Sequence, residues 1–245
     1  MNPDLQYYGL AAVWIYLSSL FVFCFGIWQL NYVSKRLGIT KSKSFYLYLW
    51  HTIFAILHYL WVMIAKNDVY GTYQISMDPS HTFDIYYLQN AFVKHFYSIF
   101  SYYLRFSFFT TFLAINIIGT NAILLIEYFV SKYSRNFPSN LRKITSLFVW
   151  IPSLHFWTVL GKDTLVILSI LIITFSFEKI NKRSFLIFPS ILILGCLRSY
   201  IAVLLVGSLV LGLILSKDTF QKSSKFAIIL FSFFSLFFLY PLFNS

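Results

Sequence analysis

The chain has 245 residues, of which 59% are hydrophobic, 22% aromatic and 11% charged, and its formal net charge is +11. This composition is far from that of soluble proteins and predicts an integral membrane protein. It also excludes a nucleic-acid partner as the reason for the basic charge, because 14 of the 19 Lys and Arg residues lie in four short clusters between apolar stretches. The positive-inside rule puts all four in the cytoplasm: Lys35/Arg36/Lys41/Lys43, Lys132/Arg135/Arg142/Lys143, Lys179/Lys182/Arg183 and Lys217/Lys222/Lys225.

The first two predicted membrane spans are Leu10–Leu30 and Phe45–Ile64, which contain no charged residue. Each has roughly 20 residues, enough as a helix to cross about 30 Å of hydrocarbon. The residues before Leu10 contain no Lys or Arg, so this first span is expected to be retained rather than cleaved as a signal peptide. We therefore predict a hairpin of two helices with the N-terminus outside.

A long outer segment, about 65–107, is expected to follow this hairpin. In its second half, polar residues recur every three or four positions among aromatic and aliphatic residues, which is the pattern of an amphipathic helix with a narrow polar stripe. That stripe consists of Asn90, Lys94, Ser98, Ser101 and Arg105. A helix so rich in aromatic residues is expected to lie in the outer membrane interface, either as a packing element or as a shelf that admits a lipid-linked substrate.

Six further crossings complete the predicted fold, which is a single transmembrane domain spanning residues 1–245. The fold class is therefore all-α, a polytopic membrane helix bundle with about eight crossings and both termini outside. The remaining predicted spans are Phe108–Val130, Ile144–Gly161, Thr164–Phe177, Ser184–Leu197, Tyr200–Ser216 and Phe226–Leu242. Pro152 is expected to interrupt the helix in the second of these.

Two of these spans are short, and charged residues lie at their outer ends. Thr164–Phe177 and Ser184–Leu197 each reach only about 21 Å as a helix. Lys162, Asp163 and Arg198 are therefore expected to sink below the outer headgroups, where ionisable groups by default mark a functional cavity. The alternatives are a structural ion pair between Asp163 and Arg198, or basic side chains that extend to the surface.

The sequence does not predict a metal site or a disulfide framework. Cys24 and Cys196 lie in apolar stretches, where they are expected to act as small packing residues. His51 and His58 lie seven positions apart on one face of the second span, and no carboxylate in the sequence pairs with them. His155 is either a structural, hydrogen-bonded residue or a group that binds phosphate or carries a proton. No cofactor is predicted.

Three motifs resemble those of known bacterial membrane proteins. Asp84, followed by Tyr86-Tyr87, resembles the acidic loop motif of GT-C type membrane glycosyltransferases and related O-antigen-like polysaccharide polymerases. The stretch from Pro152 to Asp163 is similar to the Pro-Ser-x-x-Phe-Trp-x-x-x-x-Lys-Asp signature of multi-spanning proteins from surface-polysaccharide clusters. Leu197-Arg198-Ser199-Tyr200 resembles their Arg-Pro-[His/Tyr] element, with Ser199 in place of the proline. The resemblance covers about residues 84–216, and since such proteins usually carry further helices, it implies a shortened member.

The resemblance implies sugar transfer from a polyprenyl phosphate or pyrophosphate on the outer face of the bacterial plasma membrane. Such transfer needs cations around the leaving phosphate and a carboxylate that accepts the proton of the acceptor hydroxyl. The candidate base is Asp84, which as an Asp before a helix is alternatively a cap. Arg198 and Lys162 are the candidate phosphate ligands, Asp163 is expected to orient Lys162, and Trp157 is a candidate for stacking on a sugar.

The implied partners are a lipid-linked sugar or oligosaccharide, membrane lipid and other proteins of polysaccharide assembly. The rival hypothesis is a non-enzymatic membrane protein, either a transporter that binds an anion at Lys162 and Arg198 or a subunit of a polysaccharide assembly complex. Inverted repeats would favour the transporter, and none is evident in the sequence.

Overall fold

A computed structural model of the chain describes residues 10–65, 68–78, 88–159 and 161–215. Within these ranges the protein is helical and has no strand. The helices of ten or more residues are α1 (Leu10–Leu37), α2 (Lys41–Ala65), α4 (Leu88–Ser98), α5 (Phe108–Tyr133), α8 (Lys162–Phe177), α10 (Ile187–Leu197) and α11 (Ser199–Leu215). Shorter helices are α3 (Asp68–Ser76), α6 (Ser139–Leu147), α7 (Pro152–Trp157) and α9 (Ile180–Arg183).

The chain divides into two compact units. The first comprises Met1–Thr82 with Val93–Thr164, and the second comprises Phe83–Phe92 with Leu165–Ser245. Two of their three boundaries along the chain fall inside helices, one in α4 and one in α8.

Helix α5 is the centre of the first unit, with α1 and α2 packed against it. In the most apolar window of α5, 78% of the residues are buried, against 39% for α2 and 22% for α1. Leu30 of α1, Leu47 of α2 and Ile123 of α5 meet in one buried cluster. Helix α5 is thus enclosed on most sides, whereas α1 and α2 keep broad apolar faces exposed.

Three helices in the described residues are long and apolar enough to cross a membrane: α1, α2 and α5, which continues into a short 3₁₀ turn. They contain the predicted spans Leu10–Leu30, Phe45–Ile64 and Phe108–Val130. Each helix continues beyond its uncharged stretch into a basic cluster, as α1 does through Lys35 and Arg36. Basic residues end an apolar run, but their long side chains reach water while the backbone stays helical.

A tight turn joins α1 to α2 at Gly38. Gly38 has a φ of +71°, and Ile39 N–H donates to the carbonyl of Ser34 at 2.9 Å. This is the left-handed helix end that glycine adopts without a Cβ penalty. It turns the chain within three residues, so that α2 can return along α1.

The outer segment before α5 is more irregular than one amphipathic helix. Helix α4 passes into a π-helical turn at Ile99–Tyr103, and the backbone leaves it through Arg105, which has a φ of +52°. Ser101 is buried and its hydroxyl lies 2.8 Å from that of Ser76 on α3, and Ser98 is buried as well. These two positions of the predicted polar stripe therefore lie in the interior, where the Ser98 and Ser101 hydroxyls have hydrogen-bond partners.

The predicted span Ile144–Gly161 is not a continuous helix. Helix α6 ends at Leu147, a 3₁₀ turn follows at Phe148–Trp150, and α7 begins at Pro152. Proline has no N–H to continue a helical hydrogen-bond ladder, whereas its fixed φ suits the first position of a new helix. The predicted interruption at Pro152 is confirmed.

In the second unit, α10 and α11 pack against each other and against α8. Ile173 of α8, Ile187 and Ile191 of α10 and Val206 of α11 form its buried cluster. The spans predicted at 164–177, 184–197 and 200–216 coincide with these helices to within three residues at each end. Phe226–Leu242 lies outside the described residues.

Candidate functional site

The interior of the first unit contains polar side chains at the interface of α2 and α5. Asn116 donates through Nδ2 to the hydroxyl of Thr52 at 2.9 Å, and Thr52 donates to the carbonyl of Tyr48 at 2.7 Å. Thr120 donates to the carbonyl of Asn116 at 2.8 Å. All three side chains are buried. Hydrogen-bonded polar pairs of this kind hold helices together in membrane proteins. Lipid there is as apolar as the helix surface, so the hydrophobic effect contributes little to helix association.

Two buried histidines extend this polar interior toward α7. His155 Nδ1 lies 3.2 Å from Nδ1 of His51, and His155 Nε2 lies 2.7 Å from the carbonyl oxygen of Val149. Since a carbonyl only accepts, His155 Nε2 carries a proton, and in a neutral ring its Nδ1 is then the acceptor. His51 Nδ1 therefore donates to His155. His51 Nε2 has no hydrogen-bond partner among the described residues.

This arrangement gives His155 a structural role. The residue is fully buried, and both of its ring nitrogens are used inside the protein. A group that binds phosphate needs a nitrogen free to contact the ligand, which His155 does not offer here. Of the two interpretations of His155, the geometry favours the structural one. His58 is also buried, and its Nδ1 lies 3.0 Å from the carbonyl oxygen of Phe156, on whose ring it stacks at 4.3 Å.

A glycine on α5 allows the end of α7 to approach this pair. A Cβ on Gly119 would lie 2.1 Å from the carbonyl oxygen of Thr158 and 2.5 Å from His51 Nε2. Only a residue without a side chain leaves room for a backbone carbonyl at this distance. Gly119 thus determines how closely the signature stretch that begins at Pro152 packs against α2 and α5.

The end of that stretch is held by a buried tyrosine. Gly161, with a φ of +86°, donates its N–H to the hydroxyl oxygen of Tyr97 at 3.2 Å. Tyr97 is 1% exposed and packs with Phe108 and Val159 in a buried cluster of the unit. Burial raises the pKa of the Tyr97 hydroxyl, so it stays a neutral phenol at any physiological pH.

Lys162 and Asp163 come directly after this anchored glycine and open α8. Both are half-buried, and Asp163 lies in the first turn of the helix. A carboxylate in a first helical turn is stabilised by the positive end of the helix dipole. The structure thus places the predicted pair at a helix start whose backbone is held from one side by Tyr97.

Arg198 lies at the break between α10 and α11 in the second unit. Its backbone has a φ of −150° and a ψ of 76°, outside the helical region, and its side chain is half-buried. Its N–H donates to the carbonyl of Leu194, while its own carbonyl accepts from Ile201 and Ala202. The helix therefore bends at Arg198 although Ser199 stands where the resembling motif has a proline. A cavity shared by Arg198 with Lys162 and Asp163 stays a prediction, because these residues belong to different units.

The side chains of two predicted site residues, Asp84 and Trp157, are not described. Asp84 lies outside the described residues, and of Trp157 only the backbone, at the end of α7, is described. In the described part of the chain no group of three or more His, Cys, Asp or Glu residues is arranged to hold a metal ion.

Sequence analysis did not single out Tyr97 or the pairing of His51 with His155. Tyr97 stands among other aromatic residues of the outer segment, so nothing in the pattern marked it as the hydrogen-bond partner of Gly161. His51 and His155 are 104 positions apart, and only the broken helix after Leu147 brings them together. Comparisons of the chain with known protein families, with curated proteins and with solved structures found no match.

Proposed function

We propose that the protein is an integral membrane glycosyltransferase or polysaccharide polymerase that uses a sugar linked to polyprenyl phosphate or pyrophosphate. In this proposal the chain crosses the bacterial plasma membrane about eight times, with the basic clusters in the cytoplasm and the reaction on the outer face. The support from the sequence is the order of three motifs: the Asp84 loop, the stretch from Pro152 to Asp163, and Arg198.

The observation that carries the proposal is the position of charged residues at the ends of short apolar helices. Helix α8 has 16 residues and α10 has 11, which correspond to about 24 Å and about 17 Å. A hydrocarbon core is about 30 Å thick, so the ends of such helices fall short of one headgroup layer. Lys162, Asp163 and Arg198 lie at the ends farther from the basic segment around Lys182. Half-buried ionisable groups at that depth are typical of substrate sites in membrane proteins.

The chemistry follows from these groups. Arg198 presents a planar guanidinium that can hold two phosphate oxygens at once, while Lys162 adds a compact positive charge. Both stabilise the negative charge that develops on a leaving phosphate. Asp163 orients Lys162, and Asp84 accepts the proton of the attacking hydroxyl. His155 is left out of this scheme because it is engaged inside the first unit.

The test of the reaction is polysaccharide chain length in a deletion strain complemented with variants of the full chain. Asp84→Asn is expected to lower transfer by about 10²–10⁴-fold, the usual contribution of a positioned general base. Arg198→Lys is expected to fail wherever two-point contact with phosphate matters. Asp68→Asn and Arg36→Lys are matched controls, since both residues are exposed at other helix ends. Membrane levels of each variant are measured in parallel.

The rival hypothesis makes a different prediction in the same experiment. A transporter or an assembly subunit needs no general base, so an abundant Asp84→Asn protein would then give polysaccharide of wild-type length. Loss with Arg198→Lys but not with Asp84→Asn would favour an anion-binding, non-enzymatic protein. Wild-type chain length from both abundant variants would exclude both site assignments.

The orientation is tested separately by labelling. Single cysteines replace Gln74 of α3 and Ser139 of α6, both exposed, in a background without Cys24 and Cys196. An impermeant maleimide is expected to label position 74 on intact cells and position 139 only after permeabilisation. Labelling of both positions from one side would contradict the topology.

A further inference from the structure

The basic end of the first unit contains a cavity of about 580 Å³. Four segments form it: the α1–α2 turn, the first turn of α2, the end of α5 with the 3₁₀ turn that follows, and α6. Its charged residues are Lys43, Glu127, Lys132, Arg135 and Arg142, and its hydroxyl-bearing residues include Thr40, Ser134 and Ser146. This cavity, called the basic cavity below, lies near the C-terminal end of α5. The Lys162 segment, in contrast, is anchored by Tyr97 beside Phe108 at the opposite end of α5.

The charge inside the basic cavity is strongly positive. Glu127 is buried and pairs with Lys43 at 2.6 Å, and Ser131 also donates to the same carboxylate oxygen. Glu127 therefore neutralises Lys43 and fixes it in the wall, and among the described residues the lining holds no second carboxylate opposite Arg135 and Arg142, which contribute a charge of about +2.

The kinds of side chain that line the basic cavity suit a phosphate group. Arg135 and Arg142 are both exposed, and they enter the cavity from different segments, one after α5 and one on α6. Guanidinium groups bind phosphate oxygens through two parallel hydrogen bonds, and hydroxyl groups nearby satisfy the remaining oxygens. Arg142 and Ser146 are four positions apart, so both lie on one face of α6.

The other face of α6 indicates where the phosphate comes from. The exposed fractions are 45% for Leu141, 65% for Ile144, 64% for Leu147 and 51% for Phe148. A spacing of three or four positions puts these side chains on one apolar side. A short helix with one apolar exposed side and one basic side lies at the level where acyl chains meet headgroups. At that level the basic cavity would open at headgroup depth, next to an apolar surface suited to lipid chains.

We propose that the basic cavity binds a phosphate group, supplied by the headgroup of an anionic phospholipid. Clustered basic side chains at the end of a membrane helix bundle are suited to such headgroups, because they attract the phosphate and donate hydrogen bonds to its oxygens. The bound lipid would tie α6 and the α1–α2 turn to the end of α5. This role is independent of sugar transfer, since the basic cavity and the Lys162 segment lie at opposite ends of α5.

The test measures binding to the full chain purified in a neutral detergent. The probes are short-chain phosphatidylglycerol, short-chain phosphatidylcholine and inorganic phosphate. The wild type is expected to bind phosphatidylglycerol at least tenfold more tightly than phosphatidylcholine. The variant R135Q/R142Q is expected to lose roughly tenfold or more of that affinity, since each residue contributes hydrogen bonds from a charged donor.

The matched control is K35Q/R36Q, which removes the same charge from the same end of the unit. Neither residue lines the basic cavity, and Arg36 stacks on the ring of Tyr32 at 4.6 Å. This control is expected to keep the affinity for phosphatidylglycerol to within a factor of three, with both variants shown to be folded by gel filtration and thermal unfolding. Equal losses in the two variants would mean diffuse surface attraction and would overturn the proposal.

The three probes distinguish the sources of phosphate. Saturable binding of phosphatidylglycerol that inorganic phosphate displaces only weakly supports a lipid headgroup. Saturable binding of inorganic phosphate without binding of phosphatidylglycerol would overturn the lipid source. Equal binding of phosphatidylcholine and phosphatidylglycerol, or no binding of either, would overturn the proposal as a whole.

Discussion

The substitution Gly119→Ala is a direct test of the packing that places the signature stretch. The new Cβ would lie 2.1 Å from a backbone carbonyl oxygen, whereas ordinary contact begins at 3.4 Å, so the end of α7 must move away from α5 by about 1.3 Å. A backbone carbonyl cannot rotate aside as a side chain does, which puts the cost near the upper end of the usual range for overpacking, about 3 kcal/mol. Alanine returns about 1 kcal/mol through its better helix propensity.

The net expectation for Gly119→Ala is a loss of about 2 kcal/mol, or roughly 30-fold in the folding equilibrium. The measurement is reversible unfolding of the purified protein in mixed detergent micelles. Gly71→Ala in α3 is the matched control, because its Cβ would meet nothing within 4 Å, and it is expected to be neutral or slightly stabilising. If Gly119→Ala were as stable as this control, the close packing of α5 against Thr158 would be refuted.

Three further substitutions test individual contacts. His155→Phe removes the hydrogen bond to Val149 and is expected to cost about 1–3 kcal/mol of stability. Sugar transfer per folded molecule is expected to stay unchanged. Loss of sugar transfer from a fully stable variant would restore a catalytic role for His155. Lys43→Met leaves the buried Glu127 carboxylate without its ion-pair partner and is expected to lower the stability by about 1–3 kcal/mol. This cost is smaller than for a fully buried ion pair, because the Lys43 side chain is 34% exposed. The double variant with Glu127→Leu should recover most of this loss in the same unfolding assay. Tyr97→Phe is expected to cost about 1 kcal/mol through one lost backbone contact, and an unchanged stability would argue against its anchoring role.

The long helices could be predicted from the sequence because one property, an uncharged apolar run, determines them. Leu10–Leu30, Phe45–Ile64 and Phe108–Val130 all lie inside observed helices. The break at Pro152 was equally accessible, since it follows from the covalent structure of proline. The helix ends were harder to predict, because a basic residue such as Arg36 ends the apolar run without ending the helix.

The interior contacts could not be predicted, because they depend on which faces meet. Ser101 repeats with the polar positions of the outer segment, yet its hydroxyl bonds to Ser76 in the interior. Periodicity locates a polar side of a helix but does not tell whether water or another polar side covers it. The pairing of His51 with His155 depends in the same way on the path of the chain after Leu147.

The deep burial of α5 has a consequence for biogenesis. Its side chains Asn116, Asn121 and Glu127 meet Thr52, Gln29 and Lys43 of the two helices synthesised earlier. Alone in lipid, these polar groups would lack partners and would disfavour insertion of α5. The α1–α2 hairpin supplies the partners Gln29, Lys43 and Thr52, which are therefore already synthesised when α5 follows. The order of the helices along the chain thus makes the polar partners of α5 available before α5 itself is synthesised.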